Sequence, residues 1–397
     1  MTTPTTHAAD TSSMTSADPV ATLLQDYHDL NPGWVEIRTT TPTPLEFMRY
    51  VARNRPFVVR GGAADWQATR EWSVARLKAL LLGQTVEVAV TPNGLADAPI
   101  RDAAGQLCFV KPCQQRIDFA DFIDSLLAPE TSTSGEPPSD VAYAQSQNDN
   151  LRHEYERLAP QLPTEIAWAR DALGQPADAR NLWIGNARST TALHKDPYEN
   201  IYVQLLGRKH FRLLPPCALV CVAETPLPPA AYLKSPSGSW RIRHEPGPPV
   251  PLPTWDPDAG PAQAQRTPYS HLVLPLAVTL EKGDMLYLPA QWYHKVSQSC
   301  ADDGICCAAN YWYVRYGIWR RLLLTAEFLA ECHYESPGTT RAPPNHACLI
   351  MSSLEIALVP NALHYQGLLN TWPCLKIHPI RDKLCQNLVR GRQSCNN

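Results

Sequence analysis

The sequence carries little net charge, few glycines and no long apolar run, and each shortage narrows what the chain can be. Its 35 Lys and Arg stand against 38 Asp and Glu, a formal charge of -3. No polybasic footprint or acidic tail follows from that balance, so direct nucleic-acid binding is not expected. No apolar stretch reaches the length of a membrane-spanning helix. No secretory-type apolar segment follows Met1, and the Thr/Ser/Ala-rich stretch Met1–Pro19 has no arginine, unlike a mitochondrial presequence. The 12 cysteines include no C-x-x-C pair. They read as mostly reduced thiols, which sets the expected location as cytoplasm and/or nucleus. The H-E-x-x-H signature of a zinc peptidase is also missing, and no nucleophile–base pair stands out.

Proline, by contrast, is abundant at 38 residues of 397. Proline breaks helices and favours extended segments, so a β-rich, loop-rich chain is expected. The 44% apolar content is that of a globular core. Thr43-Pro44-Leu45-Glu46 is a helix start, with a Thr cap, Pro at the first helical position and Glu three residues after the cap. Pro56–Arg60 and Val86–Val90 read as strands, the second closed by a Thr91-Pro92-Asn93-Gly94 turn. Asp118–Leu127 reads as an amphipathic helix. From Leu182 onward short strands and turns dominate, which argues for a sandwich or barrel. Asn200–Leu206 and Lys209–Leu214 are expected to form a hairpin across Gly207-Arg208. Pro226–Pro268 has no sustained periodicity.

The most informative stretch is Thr191-Ala-Leu-His194-Lys-Asp196. In a strand, residues i and i+2 share a face, so His194 and Asp196 would present an imidazole and a carboxylate side by side. His294 supplies a second imidazole far along the chain. Two histidines and one carboxylate form the facial triad of non-haem Fe(II) oxygenases, which leaves coordination positions open. H-x-D alone is a weak motif, and most such triplets are accidents. Here Asn200 and Tyr202 follow on one strand parity, and Gly283–Pro289 leads into the second histidine. His153, His244, His333 and His378 read as surface or loop residues. Cys332, His333, His346 and Cys348 lack a standard zinc spacing.

Several further segments keep the same company in the same order: Pro44–Phe47, Asn54–Gly61, Val86–Gly94, Leu193–Asn200, Gly283–Pro289 and Asn310–Tyr313. Together, over roughly Thr43 to Tyr316, the sequence resembles the small JmjC-domain hydroxylases, cupin-like Fe(II)/2-oxoglutarate oxygenases. The resemblance implies a mainly β fold with flanking helices (α+β), a double-stranded β-helix (jelly-roll) barrel with an N-terminal α/β extension. It divides the chain into a disordered 1–20, an extension over 21–140, a catalytic barrel over 141–318 and a C-terminal extension over 319–397. It gives His194, Asp196 and His294 the iron, and Lys209 the distal carboxylate of 2-oxoglutarate. Thr191 and Tyr143 match groups that hydrogen-bond this co-substrate, Asn200 and Asn310 match nearby amides, and Trp312 matches a wall residue. A dicarboxylate buried in a barrel needs a cation and donors at its far end, which Lys209 and Tyr202 can supply.

The implied activity uses Fe(II), 2-oxoglutarate and O2 to hydroxylate a protein side chain, specifically C3 of a lysine in a developmentally regulated GTP-binding protein. The lysine ammonium then needs an acidic acceptor near the barrel mouth, for which Asp284 and Glu199 are the sequence candidates. No nucleic acid or membrane partner is implied, and a homodimer is compatible with the resemblance. Three other readings compete: a lysine demethylase, a histone-tail protease and a non-catalytic cupin-like binding module. Formaldehyde release, peptide cleavage and a one-oxygen mass gain separate them.

Overall fold

The computed structural model describes residues 18–128, 140–260 and 266–314. Most of the segment expected to be disordered, and the C-terminal extension with Cys332, His333, His346, Cys348 and His378, lie outside these residues. Asp18 to Val20 begin a helix instead: Asp18 Oδ1 accepts from Val20 N at 2.9 Å and caps α1 (Pro19–Leu30). Then follow β1 (Glu36–Arg38), α2 (Pro44–Arg53), β2 (Phe57–Val59), α3 (Gln67–Glu71) and α4 (Val74–Leu80). The start of α2 is as the sequence predicts, a capping box in which Glu46 and Thr43 each satisfy the other's backbone amide. Next come β3 (Thr85–Thr91), β4 (Leu95–Ala96), β5 (Ala98–Arg101), β6 (Leu107–Lys111), β7 (Cys113–Asp118), α5 (Phe119–Leu127) and β8 (Val141–Tyr143). The predicted amphipathic helix is α5, with Asp118 as its cap.

After α6 (Ala167–Leu173), strands take over: β9 (Ala179–Gly185), β10 (Thr190–Lys195), β11 (Tyr198–Leu206) and β12 (Arg208–Leu214). They continue with β13 (Glu224–Leu227), β14 (Pro229–Lys234), β15 (Trp240–His244), β16 (Val250–Pro253), β17 (Leu276–Leu280), β18 (Met285–Leu288), β19 (Tyr293–Ser299) and β20 (Cys306–Val314). The Pro226–Pro268 excursion is thus more ordered than its lack of periodicity suggests. Its strands are too short for a pattern to show, and they form two small sheets, β13–β16 and β15–β14–β6–β5. A third small sheet runs β7–β3–β8.

Two larger sheets face each other as a jelly roll. One has the order β1-β2-β18-β11-β20-β9, the other β17-β12-β19-β10-β4. Strands from the N-terminal third (β1, β2 and β4) complete both sheets. Side-chain parity sorts the residues into two layers. Tyr202, Phe211, Leu213, Val278, Leu286, Leu288, Val296 and Trp312 fill the space between the sheets. Alternate residues of the first sheet, such as Ile201, Val203, Tyr287 and Tyr311, pack outward with the helix residues Phe47, Val51, Leu77 and Phe122.

The hairpin expected across Gly207 does not form. β11 pairs with β18 and β20, whereas β12 pairs with β17 and β19, so the chain crosses from one sheet to the other at Gly207. Gly207 has φ +68°, and a Cβ there would lie 2.5 Å from the Ser299 carbonyl oxygen. The local glycine requirement is the same for a hairpin and for a crossing, so the turn residues could not tell them apart.

Candidate active site

His194, Asp196 and His294 converge at one end of the barrel interior. β10 and β19 are antiparallel neighbours with His194 directly opposite His294. Directly opposed residues share a face, which brings the two rings together with centroids 4.0 Å apart. Asp196 follows the end of β10, and its main-chain oxygen accepts from Gln291 N at 2.8 Å. Its Oδ2 lies 3.8 Å from His194 Nε2 and 3.6 Å from His294 Nε2. One donor atom from each residue lies within 4.8 Å of the other two.

The hydrogen bonds select the ring nitrogens for ligation. His194 Nδ1 contacts the Ala192 carbonyl at 2.8 Å, and His294 Nδ1 contacts the Trp292 carbonyl at 3.0 Å. A carbonyl only accepts, so each Nδ1 carries a proton, and each Nε2 is the nitrogen turned towards Asp196. Burial, reinforced by His194, holds the His294 imidazole well below its usual range and therefore neutral. Burial pushes the Asp196 carboxyl up, with His194 opposing it. Two imidazole Nε2 atoms and one carboxylate fit a divalent 3d metal such as Fe(II), whose charge would offset the desolvation of Asp196.

The predicted co-substrate residues lie on the same interior face. Thr191 is opposite Val296, an interior residue, although it is three positions from His194. A shift of register between Thr191 and His194 reconciles the two. Lys209 is opposite Gln298, four residue pairs along from Leu213 opposite His294 and therefore of the same parity. Lys209 is only 2% exposed, and its Nζ donates to Tyr143 Oη at 2.8 Å. Tyr202 is buried in the same layer with its ring 5.2 Å from Phe211. Asn310 Nδ2 donates to Asn200 Oδ1 at 3.2 Å, while its Oδ1 accepts from Trp183 Nε1 at 3.1 Å and Asn181 Nδ2 at 3.3 Å. Trp312 stacks on Tyr198 at 4.7 Å, and its Nε1 is buried without a partner. A buried ammonium with one neutral partner and an unpartnered indole N–H are donors suited to a dicarboxylate.

Neither sequence candidate for the ammonium acceptor faces this interior. Glu199 has the opposite parity to Asn200 and Tyr202, and its Oε2 accepts from Tyr287 Oη at 2.6 Å on the outer side of the sheet. Asp284 sits in the β17–β18 turn, bonded to the Arg60 guanidinium, Gly61 N and Glu281 N. Sequence reading missed Asp97 and Gln145, whose side chains meet at 2.9 Å beside β10. It also missed Glu224, which accepts from Lys195 Nζ at 2.8 Å and Tyr293 Oη at 2.6 Å and ties the outer faces of the two ligand strands together. Of the histidines read as peripheral, His244 lies exposed on β15 with its Nε2 2.9 Å from Asp102, and His153 is exposed near Asp149.

Residues 42–316 match the family of cupin-like domains. The human bifunctional peptidase and (3S)-lysyl hydroxylase JMJD7 is 36% identical over 277 residues, covering 68% of this chain and 81% of that protein. The lysine-specific demethylase JMJ32 of Arabidopsis thaliana is 33% identical over 307 residues, 75% of this chain and 87% of its own length. The JmjC domain-containing protein E of Dictyostelium discoideum is 32% identical over 304 residues, with coverage of 71% and 84%. Among the described residues, no helix is long and apolar enough to cross a membrane.

Proposed function

Since this chain belongs to the cupin-like JmjC family of 2-oxoglutarate-dependent dioxygenases, we propose that it is a lysyl C3-hydroxylase acting on a developmentally regulated GTP-binding protein in the cytoplasm and/or nucleus. The observation that carries this reading is the facial set of His194 Nε2, His294 Nε2 and Asp196 Oδ2, in a chain 36% identical to a relative named as a lysyl hydroxylase. Fe(II) and 2-oxoglutarate, when bound, supply O2 activation with release of CO2 and succinate and transfer of one oxygen atom to a C–H bond.

The chain's own residues do the rest. His194, Asp196 and His294 would hold Fe(II) through two imidazole nitrogens and a carboxylate oxygen. Lys209 Nζ, now shared only with Tyr143, pairs with the distal carboxylate of the co-substrate. Tyr143, Thr191 and Tyr202 supply hydroxyl donors, and the Asn200–Asn310 pair holds the wall between them. Trp312, stacked on Tyr198, keeps water from one flank of the site.

The test is tandem mass spectrometry of a lysine peptide from the GTP-binding protein after reaction with the Fe(II)-loaded chain, 2-oxoglutarate and O2. A single-oxygen gain on the lysine, matched by succinate, is the expected result. A second reading, lysine demethylation, is favoured by the name of the Arabidopsis relative. Formaldehyde from a methylated lysine, without a hydroxylated product, would establish it instead. Cleaved peptide would point to the peptidase activity in the human relative's name.

A further inference from the structure

A lysine side chain that reaches a buried metal must leave its ammonium somewhere. Its Nζ lies four single bonds from Cβ, about 5 Å when extended. An acceptor one side chain's length from the metal ligands is therefore required, or desolvation would forbid entry. The carboxylates nearest the ligand strands are mostly spoken for. Glu224 binds Lys195 and Tyr293, and Asp256 and Asp258 both pair with Lys295. Glu199 and Asp284 face away, as described above.

Asp97 differs from all of these. It follows β4, which runs parallel to β10 with Thr190 opposite Leu95 and Thr191 opposite Ala96. The chain reaches this position through the Thr91–Gly94 turn. Gly94 has φ +78° and touches the Arg188 backbone so closely that a Cβ would meet the carbonyl oxygen at 2.0 Å. Gly94 O also accepts from Thr190 N at 3.0 Å, which pins the turn to the start of the H-x-D strand. Asp97 itself has φ +52°, a left-handed conformation that Asp tolerates. It is half-buried, with Gln145 Nε2 donating to its Oδ2 at 2.9 Å. Gln145 follows Tyr143, the partner of Lys209, so the pair belongs to the same wall as the co-substrate residues.

Among the described residues, no Lys or Arg nitrogen lies within ion-pairing distance of Asp97. Its electrostatic neighbours are His194 and Lys111, and the Lys111 ammonium is bound to Glu245 at 2.5 Å. Burial pushes the Asp97 carboxyl up to about 6, which marks a carboxylate short of cationic partners.

We propose that Asp97, oriented by Gln145, is the specificity residue that accepts the ammonium of the lysine side chain entering the site. The proposal rests on the lysyl hydroxylase reading and deepens it. It makes the site select an unmodified, charged lysine over an uncharged chain of equal length, because a carboxylate without its cation stays unpaired.

The experiment compares a lysine peptide from the GTP-binding protein with the same peptide carrying norleucine at that position. Binding to the full chain loaded with Fe(II) and 2-oxoglutarate is measured without O2, and oxidation is then followed with O2. The wild-type chain is expected to bind the lysine peptide roughly tenfold to a hundredfold more tightly. Asp97→Asn is expected to abolish that preference while 2-oxoglutarate affinity stays within about twofold, and Asp97→Glu to recover part of it. Equal binding of the two peptides by the wild-type chain, or an undiminished preference in Asp97→Asn, overturns the assignment. The two readings fail separately. Asp97-dependent binding without oxidation refutes the hydroxylase reading alone, and lysine oxidation indifferent to Asp97→Asn refutes the ammonium site alone.

Discussion

At the end of the barrel that carries the proposed metal ligands, His194 and His294 each hold one ring nitrogen against a main-chain carbonyl and turn the other towards Asp196. Four residue pairs further along β19, Lys209 lies opposite Gln298 and is hydrogen-bonded to one neutral partner, Tyr143. The first end is preorganised by the backbone, which no side-chain substitution can remove. The second is a buried ammonium for which the proposed dianion would be the charged partner. In the proposed site, metal geometry would be tied to the fold, and co-substrate binding would rest on a few exchangeable side chains.

The largest effect should come from breaking the metal end. His194→Ala, Asp196→Ala or His294→Ala is expected to remove succinate production to below detection while the chain stays folded. Asp196 is costly to bury in the metal-free chain, so the thermal midpoint of metal-free Asp196→Ala should be no lower than that of the wild type. Normal succinate yield from Asp196→Ala would sink the metal assignment.

The next effect tests the far end. Lys209→Met replaces a buried cation by an apolar side chain of similar reach. The 2-oxoglutarate requirement should rise by about a hundredfold or more, the scale of an uncompensated buried charge. The thermal midpoint of the metal- and co-substrate-free chain should meanwhile hold or rise, and the increase that 2-oxoglutarate normally adds should vanish. An unchanged 2-oxoglutarate affinity would make Lys209 a structural residue and erase the contrast between the two ends.

The smallest effect is one of stability. The Asp97 carboxyl lies at about 6 in the folded chain, above its unfolded value of 3.8. The folded state therefore binds the proton more tightly, and the group's contribution is fully present below pH 3.8 and is lost as pH rises through 6. Asn cannot ionise and keeps the amide contact with Gln145. Asp97→Asn should therefore stabilise the chain at pH 7.5 by about 1–3 kcal/mol, and by nothing at pH 3.5, measured by denaturant unfolding. A destabilised variant at pH 7.5 would show that the charge itself supports the fold.

The sequence revealed the local devices well. The Thr43 capping box, the amphipathic helix over Asp118–Leu127 and the i, i+2 presentation of His194 and Asp196 depend only on neighbouring residues, and all are found in the structure. The grouping of His194 with His294 follows from the chemistry of a two-histidine, one-carboxylate set and the motifs around each residue, and the resemblance agrees with it, whereas spacing alone cannot bring together two residues so far apart. The errors have separate causes. Gly207 was read as a hairpin corner because turn chemistry does not say which sheet the next strand joins. Glu199 was offered as an acceptor although its parity, opposite to that of Asn200, already turned it away from the interior. Asp97 was overlooked because its place depends on the parallel pairing of β4 with β10, across nearly a hundred intervening residues. The strands of the Pro226–Pro268 segment were hidden for a different reason, since each is six residues or fewer.

The crossing at Gly207 also bears on how the molecule is made. Because successive strands enter opposite sheets, β10 must wait for β19, and β11 for β18 and β20, before either sheet is continuous. Such a topology has a high contact order, and loop-closure entropy is spent before most pairings repay it. On a ribosome, His194 would emerge a hundred residues ahead of the imidazole it faces, and the intervening Pro-rich stretch must be extruded first. The pairing of His194 with His294 therefore exists only once translation has passed β19. Iron bound as proposed would find its ligands only when all but the last strand of the surrounding barrel has been made.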